Sequence, residues 1–139
     1  MLTTISDIRN FFQRYDRPVY FVSATPFNLL GIDEWVRGFR YVNYIDCFDG
    51  AHPSVFVPSE APHAEFTSIE DINNYLLEHK EVVDLVRRHG KGQAIFLMFD
   101  DATEDICRQL GLEVAFPPAK LRREVDDKMS TTRIGNRAG

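Results

Sequence analysis

Positive charge is in short supply in this chain: 16 lysines and arginines face 21 aspartates and glutamates over 139 residues, a net charge of −5. That balance argues against nucleic acid or an anionic membrane surface as a main partner. Cysteine is scarcer still. Cys47 and Cys107 stand sixty residues apart, and Met1-Leu2-Thr3-Thr4 lacks the basic and apolar regions of a secretory signal, so a reduced, cytoplasmic protein with two packing thiols is expected rather than a Cys47–Cys107 bridge. The longest uncharged apolar run, residues 94–99, has six members, far short of the roughly 20 that span a bilayer. His52 and His63 lie near Asp49, Glu60 and Glu65, but no histidine or cysteine spacing matches a metal motif.

What is present suits one globular core. Hydrophobic residues make up 44% and charged residues 27%, and a chain of this length removes roughly two thirds of its unfolded surface from water. Ser6 is placed to cap a helix over residues 6–15, with Ile5, Ile8, Phe11, Phe12 and Tyr15 on one stripe. Residues 19–22 read as a buried strand, 23–28 as a turn, and 29–39 as a helix with Leu29, Ile32, Trp35, Val36 and Phe39 on one face. A strand at 41–45, an irregular loop at 46–53 and a short strand at 55–57 follow, and residues 58–63 form a surface connection. Thr67 or Ser68 then opens a capping box with Glu70 or Asp71 ahead of a helical run to Arg88, with a break around residues 79–81.

Residues 94–99 are apolar on both alternating faces, the pattern of a strand covered above and below and central in its sheet. Asp101 caps the next helix with Glu104 three residues on, and Gly111 ends it; 112–116 is a strand. After Pro117-Pro118, residues 119–123 and 129–137 read as helices joined by a polar segment at 124–128. Strands alternating with helices imply an α/β fold of three layers, a mostly parallel sheet with helices on both faces.

In such sheets ligands bind beyond the carboxyl ends of the strands. The loop Ser23-Ala24-Thr25-Pro26-Phe27-Asn28 offers a helix entrance where Thr25 or Asn28 either caps or contacts an anion. It has no glycine before Gly31, so it fits neither the dinucleotide fingerprint nor the phosphate loop. Asp100-Asp101, after the apolar strand, would suit a ligand or a magnesium ion; the plainer alternative is a helix cap and a solvated carboxylate. Asp46 and Asp49 read as turn formers that could also accept from a polar ligand. His79 falls on an apolar stripe and reads as structural, Cys107 as a packed thiol, and Phe39, Tyr41 and Tyr44 beside Arg37 and Arg40 as core.

The last segment carries a resemblance. An Asp127-Lys128 pair, a helix, and then Ala138-Gly139 resemble the passage in ATP-grasp ligases, biotin-carboxylase-like enzymes among them, where the N-terminal domain hands over to the ATP-binding lobes. The blocks at 43–50 and 96–100 are similar to those of bacterial ATP-grasp proteins, and the alternating strands and helices from Val19 to Phe116 resemble the Rossmann-like preATP-grasp domain. The resemblance implies residues 1–123 as that domain and 124–139 as a linker helix leading into an ATP-grasp domain that is missing here. It also implies an intact enzyme that activates a carboxylate as an acyl phosphate with Mg-ATP and passes it to an amine or similar nucleophile. Thr25, Asn28, Asp100 and Asp101 would line the substrate, Lys128 would reach the nucleotide, and this piece alone would not turn over or hold a cofactor. Its partners would be the rest of its own chain, a small carboxylate and a second copy in a homodimer. The alternative class is a free-standing flavodoxin-like or receiver-like binding module.

Overall fold

The computed structural model describes residues 2–59 and 65–138; His63 and Glu60 fall outside them. Among the described residues five strands, β1 (Val19–Ser23), β2 (Phe39–Asn43), β3 (Val55–Phe56), β4 (Gln93–Ile95) and β5 (Glu113–Val114), form one sheet in the order β3-β2-β1-β4-β5. Every pairing is parallel. With β1 paired to β2 on one side and β4 on the other, this differs from the 2-1-3-4-5 order of flavodoxin-like and receiver folds. The order reverses between β1 and β4.

Six α-helices among the described residues accompany the strands: α1 (Ile5–Gln13), α2 (Ile69–Glu78), α3 (Lys80–His89), α4 (Asp101–Leu110), α5 (Ala119–Asp126) and α6 (Lys128–Ala138). Strand alternation sends Tyr20, Val22, Val42 and Ala94 to one face, where they meet Leu76 and Leu77 of α2, Val82, Leu85 and Val86 of α3, and Cys107 of α4. Val19, Phe21, Phe39 and Tyr41 point to the other face, against Tyr15, Leu29, Ile32 and Val36. The architecture is therefore the three-layer α/β fold expected. No helix among the described residues is long and apolar enough to cross a membrane.

Several local expectations are corrected. The first helix is capped by Thr4 rather than Ser6, because the Thr4 hydroxyl accepts from the Asp7 amide while the Asp7 carboxylate accepts from the Thr4 amide. Residues 29–39 do not form a helix. Gly31 sits at φ +90° and splits the segment into two 3-10 turns, Phe27–Leu29 and Ile32–Glu34, although Leu29, Ile32 and Val36 still pack on the sheet. The middle of the sheet belongs to β1, all five of whose residues are buried; β4 lies beside it and uses only the first part of the apolar run. Helix α5 extends through the segment read as a polar joint and breaks at Asp127 alone. The expected interruption near residue 79 is real: His79 ends α2 and its ring nitrogen Nδ1 accepts from the Glu81 amide to start α3.

Candidate functional site

The carboxyl ends of β1 and β2 are locked together by Asn43, whose Nδ2 donates to the carbonyl and hydroxyl oxygens of Ser23 at 3.1 Å each. Beyond β4 the chain turns sharply, with Phe96 and Phe99 inward and Leu97 and Met98 outward. Asn73, fully buried on α2, holds this turn by donating to the Met98 carbonyl at 2.7 Å.

Helix α5 is fastened across the neighbouring α4. The Ala119 amide donates to the Glu104 carboxylate at 2.9 Å, and the Arg123 guanidinium meets the Asp101 carboxylate at 2.8 Å. Glu104 thus anchors α5, where a capping role for α4 was expected. Between α5 and the ends of β4 and β5 lies a groove of about 450 Å³, within the size of small-molecule sites. Phe96, Leu97, Phe99, Phe116, Leu121 and Val125 give it an apolar lining, with Phe99 and Phe116 stacked at a centroid distance of 6.4 Å. Arg122 and Asp126 supply polar groups. The Arg122 guanidinium carbon lies 5.5 Å from the Phe99 ring centre, its Nε donates to Asp126 at 3.3 Å, and it also meets the Met98 sulfur.

The residues expected to bind substrate are placed at this edge of the sheet but are engaged locally. Asp100, not Asp101, caps α4: its carboxylate accepts from the Thr103 amide at 2.8 Å and from the Thr103 hydroxyl at 2.8 Å, with Asn74 a longer donor at 3.4 Å. Burial alone would raise the Asp100 pKa, yet the hydrogen bonds from Thr103 and Asn74 outweigh it and hold the carboxyl below its ordinary value. Asp101 is taken by Arg123. Among the described residues no group of three or more histidine, cysteine, aspartate or glutamate side chains is gathered that could hold a metal.

Thr25 is half-buried and Asn28 exposed on the loop after β1. Neither caps the turn that follows, which starts at Pro26 without a side-chain cap. Asp46 accepts from the Phe48 amide at 3.0 Å in a local turn. His52 accepts from the Ser54 amide at 3.2 Å, and its ring packs on Phe48. Lys128 is exposed as the first residue of α6, and Asp127 caps that helix by accepting from the Ser130 amide at 2.9 Å. Both cysteines are free thiols; burial pushes Cys107 up to about 12.

Of the groove residues, the sequence points to Pro117, which follows the last strand at a place where ligands bind, and to the apolar run at 94–99, read as a strand; Phe116 at the strand end and the α5 residues are not marked by it. The run reads whole as a strand, whereas β4 ends at Ile95 and leaves Phe96, Leu97 and Phe99 to line the groove.

No family model matches the sequence, and no curated protein or solved structure matches it either.

Proposed function

We propose that this chain is the N-terminal domain of a cytoplasmic ATP-grasp ligase that joins a carboxylate to an amine or similar nucleophile. In this reading it supplies part of the carboxylate pocket and a seat for the nucleotide-binding lobes, without turnover of its own. The observation that carries it is the juxtaposition of an apolar groove with Arg122 at its polar end and, one turn further along the same helical arm, the Asp127-Lys128 elbow. A guanidinium beside an aromatic wall suits a carboxylate bearing an apolar body. Closing lobes over such a groove would exclude water, as an acyl phosphate demands.

Asp127 supports the reading by giving the Asp-Lys pair a mechanical sense: the aspartate starts α6 and so aims the lysine outward. Helix α6 buries none of its residues, and Met129 and Ile134 are exposed on it, which suits a surface awaiting a cover. Thr25, Asn28, Asp100 and Asp101 would then border the substrate from the ends of β1 and β4, and Lys128 would face the nucleotide with its magnesium held by the later lobes.

The test is to read the gene past codon 139 and to assay the whole encoded polypeptide for ADP release. Magnesium-dependent release that needs both a carboxylate and an amine, with a raised KM for ATP in Lys128→Ala, is the expected result. A reading frame without nucleotide-binding lobes, or brisk ATP turnover by residues 1–139 alone, would overturn the proposal.

A further inference from the structure

At the opposite, amino-terminal edge of the sheet is a concavity of about 200 Å³ lined by Arg37, Arg40, His89, Asp16, Tyr15 and Gly38. Its hydrogen-bond donors come from three directions: Arg37 from the loop before β2, Arg40 from β2 itself, and His89 from the last residue of α3. Backbone hydrogen bonds hold the segment that carries Arg37 and Gly38. The Arg37 amide donates to the Phe12 carbonyl at 3.2 Å, and the Val19 amide donates to the Gly38 carbonyl at 3.2 Å. Gly38 turns the chain between the two arginines at φ +77°, a conformation that favours glycine.

Neither arginine forms an ion pair with a carboxylate among the described residues. Asp16 lines the same concavity and still pairs with neither. The Arg40 guanidinium instead lies 3.2 Å from His89 Nδ1. A nitrogen that accepts from a guanidinium leaves the neutral ring protonated at Nε2, so the imidazole keeps one donor for another partner. Two guanidiniums and an imidazole thus face one small space alongside a single carboxylate, Asp16, that pairs with neither arginine.

We propose that this concavity binds a tetrahedral oxyanion, either free phosphate or the phosphate of a small monoester, between Arg37 and Arg40 with His89 as a third donor. Guanidinium forks match phosphate oxygens in pairs, and donors arriving from three elements suit a tetrahedral group better than a planar carboxylate. The volume admits a phosphate group but not a whole nucleotide. The site is independent of the groove at the other edge of the sheet and of the ligase reading. Burial, followed by the charges of Arg40 and Arg88, holds the His89 imidazole below its usual pKa, a cost that a bound anion would offset.

The experiment titrates inorganic phosphate, and separately methyl phosphate, into the 139-residue protein at constant ionic strength with chloride as the balancing anion, following backbone amides by NMR. Saturable shifts centred on Gly38, Arg40 and His89 are expected. Arg37→Gln and Arg40→Gln should each weaken the apparent affinity about tenfold, the loss of one charge-assisted hydrogen-bonding partner. Arg37 is exposed, so its variant keeps the test valid even where Arg40→Gln disturbs the end of α3. Tighter binding of methyl phosphate identifies a phosphorylated small molecule as the ligand, and equal or weaker binding identifies free phosphate. Shifts no larger than those with chloride alone, shifts centred elsewhere, or undiminished affinity in Arg37→Gln would overturn the proposal.

Discussion

The carbonyl oxygen of Pro18 occupies the space a side chain at position 92 would need: a Cβ built on Gly92 would stand 2.0 Å from it. The contact is backbone against backbone, because the Gln93 amide donates to that same carbonyl at 2.9 Å where β4 enters beside β1. Gly92→Ala should therefore push the two strands apart at their entrance and cost about 3 kcal/mol. Thermal unfolding followed by circular dichroism should show a drop in Tm of about 10 °C, and an unchanged Tm would mean the strands do not approach so closely.

Asp100 ties stability to acidity. Its carboxyl titrates below the ordinary value of 3.8 in the folded chain, so the stabilisation it provides is complete above that value and is lost as the pH falls through its folded pKa. Urea midpoints should decline on acidification below about pH 4. Asp100→Asn keeps an acceptor for the Thr103 amide but cannot titrate, so it should flatten that decline. Asp100→Ala removes the cap and should cost about 1 kcal/mol at neutral pH.

Tyr41 works in the opposite pH range. Its single hydroxyl proton is shared between the Leu29 carbonyl at 2.8 Å and the Asp33 carboxylate at 2.9 Å, and burial, helped by Asp33, pushes the hydroxyl up to about 12. The folded state thus favours the neutral phenol, and this stabilisation is present below pH 10 and lost as the pH rises toward 12. Tyr41→Phe should cost about 1 to 2 kcal/mol at neutral pH and lessen the alkaline loss, as measured by urea unfolding at pH 8 and pH 11.

The two thiols should react at very different rates. Cys107 is 1% exposed with its pKa raised to about 12, whereas Cys47 is half-buried on the loop after β2. Reagent added to the native protein should label one equivalent, assigned to Cys47 by peptide mapping. The second should appear only in denaturant. Two equivalents labelled at equal rates in the native state would contradict the packing of α4 on the sheet.

Helix α6 should be dispensable for folding, since it buries none of its residues. Stopping the chain after Asp127 should change the unfolding free energy by no more than about 0.5 kcal/mol. A larger loss would show that α6 supports α5 in solution.

The strands were legible in the sequence because buried parallel strands leave continuous apolar stretches such as Val19-Tyr20-Phe21-Val22. The helix at 69–88 was legible down to its break, since Ser68, Asp71 and His79 carry the capping chemistry. The stretch at 29–39 misled because Leu29, Ile32 and Val36 keep helical spacing while Gly31 departs from helical geometry, and periodicity does not register one backbone angle. Caps slipped by one or two residues, to Thr4 and Asp100, because several hydroxyls and carboxylates compete at each helix entrance. The groove was not legible: the run at 94–99 reads as a strand throughout, and only Pro117 stands at a place where a ligand is expected. Its wall comes from α5, whose docking depends on Glu104 and Asp101 pairing with residues more than a dozen positions away, and no local pattern reveals such partners.

Asp127 is a single-residue joint: its backbone closes α5 and its carboxylate opens α6. The eleven residues of α6 reach about 16 Å from that joint at 1.5 Å each. A rotation of about 10° at Asp127 would therefore sweep the far tip through about 3 Å. Small tilts of α5 would thus be carried to the far end of α6 as displacements of several ångströms.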